Sequence, residues 1–185
     1  IFGQHPMVGK QMINLPYFLG LIPSVAGEKL DMQASRITAY RRELDLRSAV
    51  LRRSLRWTTQ AGAVIDVTFE RFVSAARPAL VVQRLTLTTA DDVTVQLASG
   101  IDTDVRTSGY DHFAHLALDA TERGLYCQVT TDAGDTVDIA SCLLSAAPLE
   151  WARHATARHI ALRAEVALQA SQPFTLEKRS AVTTS

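Results

Sequence analysis

Five histidines are the side chains best suited by type to acid–base work near neutral pH: His5, His112, His115, His154 and His159. His112 and His115 stand close together beside Tyr110 and Asp111. In a strand an i, i+3 pair points to opposite faces, so regular structure would not bring both to one metal ion, whereas a loop could. A structural or surface role is favoured for that pair, and for His154 and His159 near Trp151. Carboxylates come next. Glycoside cleavage needs two of them flanking one bond, one as acid and one as base or nucleophile. Glu28, Asp31, Glu43, Asp45, Glu70, Asp102, Asp104 and Glu150 are scattered, nearly all beside a basic residue or in a turn. Spacing pairs no two of them.

The basic residues are denser. Arg41, Arg42, Glu43, Asp45 and Arg47 alternate in sign, which suggests mutual neutralisation rather than a phosphate site. Arg52, Arg53 and Arg56 make a short basic run without interleaved aromatics for base stacking, so a solvated sheet face is favoured over nucleic-acid binding. Neither a Gly-rich phosphate loop nor a G-x-S-x-G elbow occurs. No His or Cys sits at zinc-ligand spacing beside Cys127 and Cys142. The residues alone therefore assign no catalytic residue, no metal and no cofactor.

The elements that must position these side chains follow from pattern. A chain of 185 residues, 47% hydrophobic and 21% charged, suits one domain. Nineteen basic residues balance nineteen acidic ones, leaving no global field to draw in nucleic acid or an anionic membrane. The longest apolar runs are only a few residues, as in Leu80-Val81-Val82, so no transmembrane helix is expected. The chain opens on Ile1 rather than Met, and residues 1–8 do not read as a signal peptide; the expectation is a missing true start and a cytoplasmic protein.

From Ser48 onward apolar residues take alternate positions. Ala49, Leu51, Leu55 and Trp57 do so, broken by Arg53; Ile65, Val67, Phe69 and Val73 do so, broken by Arg71. Val93, Val95, Leu97 and Ile101 follow, then Ile160, Leu162, Ala164, Val166 and Leu168. Period two with one wet face marks antiparallel sheets. Turn signals such as Ala61-Gly62, Arg77-Pro78, Arg123-Gly124 and Ala133-Gly134-Asp135 recur at sandwich spacing. No helix of ordinary length intervenes, which excludes a βαβ nucleotide fold. The expectation is a single all-β domain over residues 1–185, a large antiparallel two-sheet sandwich. Residues 1–47 form an irregular or extended lead-in, and residues 48–185 carry about nine strands. A hairpin through Asp132, Ala133 and Gly134 aligns Cys127 with Ile139 and turns Cys142 to the opposite face, so a Cys127–Cys142 disulfide is disfavoured. Two reduced thiols fit a cytoplasmic protein.

These strands carry a family likeness. Tyr40-Arg41-Arg42-Glu43-Leu44-Asp45-Leu46-Arg47, followed by Ala49-Val50-Leu51, resembles the Y-x-R-x-L-D-L signature of glycoside hydrolase family 65, which holds the maltose, trehalose and kojibiose phosphorylases and related hydrolases. Asn14-Leu15-Pro16 with Gly20-Leu21 is similar to its N-L-P motif, and Arg71-Phe72-Val73-Ser74 to its R-F-x-S stretch. Leu176-Glu177-Lys178 with Val182-Thr183-Thr184-Ser185 resembles the strand leading out of its first domain. The family's G-x-x-G type opening is not restored by Gly3 and Gly9. The resemblance implies a galactose mutarotase-like super-sandwich preceding an (α/α)6 barrel that carries the catalytic glutamate and the phosphate site. That barrel is absent from this chain, so no catalytic residue carries over. Asp45 and Arg47 match the motif, with a structural ion pair as their expected role.

The resemblance further implies a non-catalytic domain of an α-glucoside-cleaving phosphorylase or hydrolase of maltose or trehalose type. Inorganic phosphate is the co-substrate if it is a phosphorylase. The implied partners are the catalytic barrel of the same polypeptide, a di- or oligosaccharide and a second subunit in a homodimer. Residues 102–115, long and polar, are the candidate loop near the sugar site, with Asp111, His112 and His115 as its candidate substrate-binding residues. Two other classes stay open. A stand-alone carbohydrate-binding module would present aromatic platforms, yet aromatics are only 6%. A mutarotase-like epimerase would need a His acid and a Glu base converging on one concave face.

Overall fold

The computed structural model describes residues 12–185; His5, Gly3 and Gly9 lie outside the described residues. In chain order the strands are β1 (Tyr17–Val25), β2 (Glu28–Lys29), β3 (Arg36–Asp45), β4 (Val50–Thr58), β5 (Val64–Val73), β6 (Leu80–Thr89) and β7 (Val93–Asp102). They continue as β8 (Phe113–Ala120), β9 (Gly124–Thr131), β10 (Thr136–Ser145), β11 (Ala152–Ala155), β12 (His159–Leu168) and β13 (Phe174–Thr184). A five-stranded sheet runs β11-β12-β7-β1-β2 and an eight-stranded sheet β3-β4-β5-β6-β13-β10-β9-β8. Every pairing between neighbours is antiparallel. The all-β two-sheet sandwich expected from the alternation is what forms.

Ten strands follow Ser48, one more than expected, and the lead-in is more regular than its prolines suggested. Pro23 is tolerated in β1 because β2 reaches only Ser24 and Val25. Next to Pro23 the strand is in effect an edge, where a missing N–H costs nothing. The 131–135 hairpin aligns Val129 with Val137 and Cys127 with Ile139. Gly134, at φ +93, takes the left-handed position of that turn. Cys127 is buried and Cys142 exposed, both free, as the parity argument required. Burial pushes the Cys127 thiol up to about 12, so it stays protonated and inert.

The core lies where the two inner faces meet. Trp57, Ile65, Leu85 and Leu87 of the large sheet and Val95, Leu97, Ile101, Ile160 and Leu162 of the small one are fully buried. Truncating a residue of this kind to Ala costs about 2–5 kcal/mol.

A polar row crosses the same inner face. Arg71, Gln83 and Lys178 are cross-strand partners on β5, β6 and β13. Facing them, β1 bulges between Tyr17 and Gly20, which frees backbone carbonyls towards the interior. Lys178 Nζ donates to the carbonyls of Phe18 (2.5 Å), Gly20 (3.4 Å) and Gly100 (3.3 Å), and Gln83 Nε2 to that of Leu19 (3.0 Å). The lysine is wholly buried with no carboxylate beside it, and desolvation lowers its pKa to about 7. The small sheet is thus pinned to the large one by hydrogen bonds as well as by packing.

The outward face of the large sheet carries charge in alternation. Glu43, Arg52, Glu70, Arg84 and Glu177 follow one another across β3, β4, β5, β6 and β13. Arg52 lies 2.6 Å from Glu70, and Arg84 3.3 Å from Glu177. Arg56 meets Asp66 in a two-point contact at 2.8 and 2.9 Å. The mutual neutralisation expected here holds for Arg41, which sits 2.6 Å from Glu43. Arg42 faces the other way. Asp45 and Arg47 form no side-chain ion pair; Asp45 instead accepts from the Ser48 hydroxyl (2.7 Å) and the Arg47 backbone N–H (2.9 Å), which hold its pKa below the usual value. Its role is to close the β3–β4 turn.

Candidate functional site

A concavity of about 1040 Å³ lies on the outward face of the five-stranded sheet. Its floor is set by register. Gly20, Gly100 and Ala161 are cross-strand neighbours on β1, β7 and β12, with His154 of β11 next in the row. Ile22, Ala98, Arg163 and Ala152 form the adjacent row, then Ser24, Gln96 and Glu165. Gly100 is required by close approach: a Cβ there would meet His159 Nε2 at 2.8 Å and the Ile160 carbonyl at 3.0 Å. The His159 imidazole therefore rests on bare backbone. Tyr17, half-exposed, covers Gly20 in the same way, with its ring 3.7 Å from where a Cβ would stand.

The groove pairs apolar floor with polar rim. His159 and Asp102 are direct cross-strand partners, so their side chains are neighbours on one face. Gln96 donates to Glu165 at 2.9 Å. Asp102 and Glu165 both line the groove. Glu165 pairs with Gln96, six positions along β7 from Asp102, a separation of about 20 Å at strand rise. Cleaving a glycosidic bond needs two carboxyls roughly 5–10 Å apart, which these two cannot supply. His159 and Glu165 are separated by the same six positions along β12, too far for that acid and base to converge on one sugar carbon.

The three candidate residues Asp111, His112 and His115 lie outside this groove. Asp111 pairs with Arg158 and lies 3.7 Å from Arg106. His112 Nδ1 sits 2.8 Å from Asp132. His115 is exposed on β8, opposite Thr130. Each takes a separate environment, and none lines the groove. Their loop is held at several points. Thr103 bonds the Arg158 carbonyl through both N–H and hydroxyl, and Asn14 reaches Thr107 Oγ1 and the Arg106 carbonyl at 2.7 Å each. The asparagine of the N-L-P stretch is a clamp on this loop. Among the described residues no group of three potential metal ligands converges, and no helix is long and apolar enough to cross a membrane.

Sequence reasoning passed over His154 and His159 as surface residues and did not weigh Tyr17. The available signal was the pair of small residues, Gly20 and Gly100, on outward positions of two strands.

The model for the N-terminal domain of glycosyl hydrolase family 65 matches residues 3–185. The chain belongs to family 65. A kojibiose phosphorylase of Escherichia coli (strain K12) is 28% identical over 91% of this chain, which spans 22% of that enzyme. An uncharacterized glycosyl hydrolase of Mycobacterium tuberculosis is 32% identical over 58% of the chain and 8% of its own length. Among solved structures, a human-microbiome protein provisionally named a kojibiose phosphorylase superposes with a TM-score of 0.85 at 18% identity, covering 94% of this chain and 23% of the other. A heparinase III reaches 0.52 at 6% identity over 87% of this chain, a likeness of fold alone. The family 65 domain thus spans less than a quarter of the phosphorylase relatives it resembles, and those relatives carry most of their length outside it.

Proposed function

We propose that this domain is the non-catalytic scaffold of an α-glucoside phosphorylase whose substrate is a disaccharide of the kojibiose, maltose or trehalose type. The observation that carries the reading is the match to the family's N-terminal domain over almost the whole chain, which itself spans less than a quarter of its phosphorylase relatives. Bond cleavage then belongs to the remainder of the polypeptide, where one acid protonates the departing sugar oxygen and inorganic phosphate attacks the anomeric carbon. In this domain the sheets hold their shape and offer surfaces to the catalytic region and to a second subunit. The two free thiols fit a reducing, cytoplasmic setting.

The test is phosphate-dependent release of glucose 1-phosphate from kojibiose, maltose and trehalose by the longer polypeptide, beside residues 1–185 alone. The reading expects turnover of at least one disaccharide by the former and none by the latter. Release of free glucose without phosphate consumption would convert it to a hydrolase. A second role is favoured by the groove: Tyr17 and His159 lying on glycine backbone form a shallow polar-rimmed floor suited to a sugar ring. Saturation-transfer NMR with the same disaccharides should show contact that Tyr17→Ala weakens.

A further inference from the structure

Three arginines on the inner face of the large sheet have no acidic partner among the described residues: Arg42, Arg53 and Arg71. Arg42 and Arg53 are direct cross-strand neighbours, and Arg71 sits opposite Leu51 in the next row. Arg42 is there because β3 bulges between Thr38 and Arg41, with Ala39 at φ +51; the extra residue changes the strand's parity and turns Arg42 inward. All three line a second cavity, of about 310 Å³, where the small sheet stops short of the large one. Leu51, Phe69, Met32 and Tyr17 share its walls.

The cavity is poorly satisfied. Arg53 stacks its guanidinium 4.5 Å over the Phe69 ring, and its buried Nε has no partner. Gln83 Oε1, in the same cavity, is also buried and unpartnered. Desolvation, and then the like charges of Arg71 and Arg42, hold Arg53 below the usual guanidinium value, while Tyr40 and Tyr17 oppose them. Three clustered cations beside apolar surface are costly unless an anion completes them. Arginine forks match a carboxylate at two points. Apolar walls match a protein segment better than a hydrated small ion. Leu44 and Val73, 55% and 59% exposed, continue the apolar surface outward.

We propose that Arg42, Arg53 and Arg71 receive an Asp or Glu side chain borne on an apolar segment of the remaining polypeptide, which docks at this open end of the sandwich. The proposal rests on the reading of this chain as one domain of a longer enzyme. Two observations select that occupant. Residues 1–11 contain no Asp or Glu, so they cannot supply the charge. The chain spans 22% of the Escherichia coli relative, so most of the family's sequence lies outside it.

The experiment uses the longer polypeptide with a benzoylphenylalanine photo-crosslinker replacing Leu44, an exposed site whose change spares the core. Irradiation and peptide mass spectrometry should give an intrachain cross-link to an acidic, apolar peptide outside residues 1–185. That product should fall about tenfold in Arg53→Glu/Arg71→Glu and stay unchanged in the outward-facing Arg56→Glu. An interchain product would overturn the proposal in favour of a second copy. Competition of the cross-link by millimolar inorganic phosphate would overturn it in favour of a free anion. No product, or one lacking Asp and Glu, would overturn it outright. None of these outcomes depends on which disaccharide the enzyme cleaves, so failure of the functional reading would register separately.

Discussion

The two faces of β4 and β5 carry nearly the same residues to opposite ends. Outward, Arg52 and Arg56 meet Glu70 and Asp66 within 3 Å, part of a ladder that continues through Arg84 and Glu177. Inward, Arg53 and Arg71 meet each other, Arg42 and an aromatic ring. Exposed arginines that already hold a carboxylate have little to offer a partner. Inward arginines without one, Arg53 half-buried among them, are an incomplete structure. The difference separates a finished surface from an unfinished interface, and it appears within single strands, one residue apart.

The comparison can be sharpened first by finding where core ends and interface begins. Leu85 is wholly buried directly opposite Phe69, whereas Leu44 is 55% exposed beside Arg42. Leu85→Ala should cost about 2–5 kcal/mol in urea unfolding of the isolated domain. Leu44→Ala should cost less than about 0.5 kcal/mol. Equal losses would mean that the arginine end is ordinary core.

Lys178 gives the next effect. Its native pKa, about 7, lies below the ordinary 10.5, so between those values the unfolded chain holds a proton that the folded one has released. Stability from this group must therefore rise as pH climbs from 7 to 10.5, with a slope of up to about 1.4 kcal/mol per pH unit. Lys178→Met should remove that slope in denaturation measured across the window. A slope that persists in the variant would assign it to other groups.

Smaller still, Arg53→Met in the isolated domain should be neutral or slightly stabilising, within about 1 kcal/mol, because it replaces an uncompensated half-buried charge by apolar volume. The same change in the longer polypeptide should loosen docking, read as faster proteolysis between this domain and the rest. Smallest of all is Arg56→Gln, which should leave the urea midpoint of the domain nearly unchanged and insensitive to added salt, since an exposed pair contributes little.

Much of this was legible before any coordinates. Alternation gave both sheets, and the parity of one hairpin separated Cys127 from Cys142. Arg53 and Arg71 announced themselves as breaks in two apolar stripes, but a break does not say that the two residues will adjoin. Arg42 was hidden altogether, because the bulge at Ala39 reverses parity in β3 and nothing in an alanine signals left-handed backbone. Lys178 was hidden by its flanks: Glu177 and Arg179 face solvent, so the triplet reads as a charged run. Only the bulge in β1, which leaves carbonyls pointing inward, explains a lysine in the core. The groove escaped because small residues, Gly20, Gly100, Ala98 and Ala161 among them, make much of its floor, and its histidines become neighbours of Asp102 and Ala161 only through register.

Arginine reactivity towards a dicarbonyl reagent, mapped residue by residue by mass spectrometry, compares the two faces directly. In residues 1–185 alone, Arg42 and Arg71, both exposed, should react at rates similar to Arg52 and Arg56. In the longer polypeptide, Arg42 and Arg71 should be protected while Arg52 and Arg56 react as before. Equal reactivity of all four in both forms would contradict the account, because it would mean that the inward arginines face solvent in the complete protein as they do here.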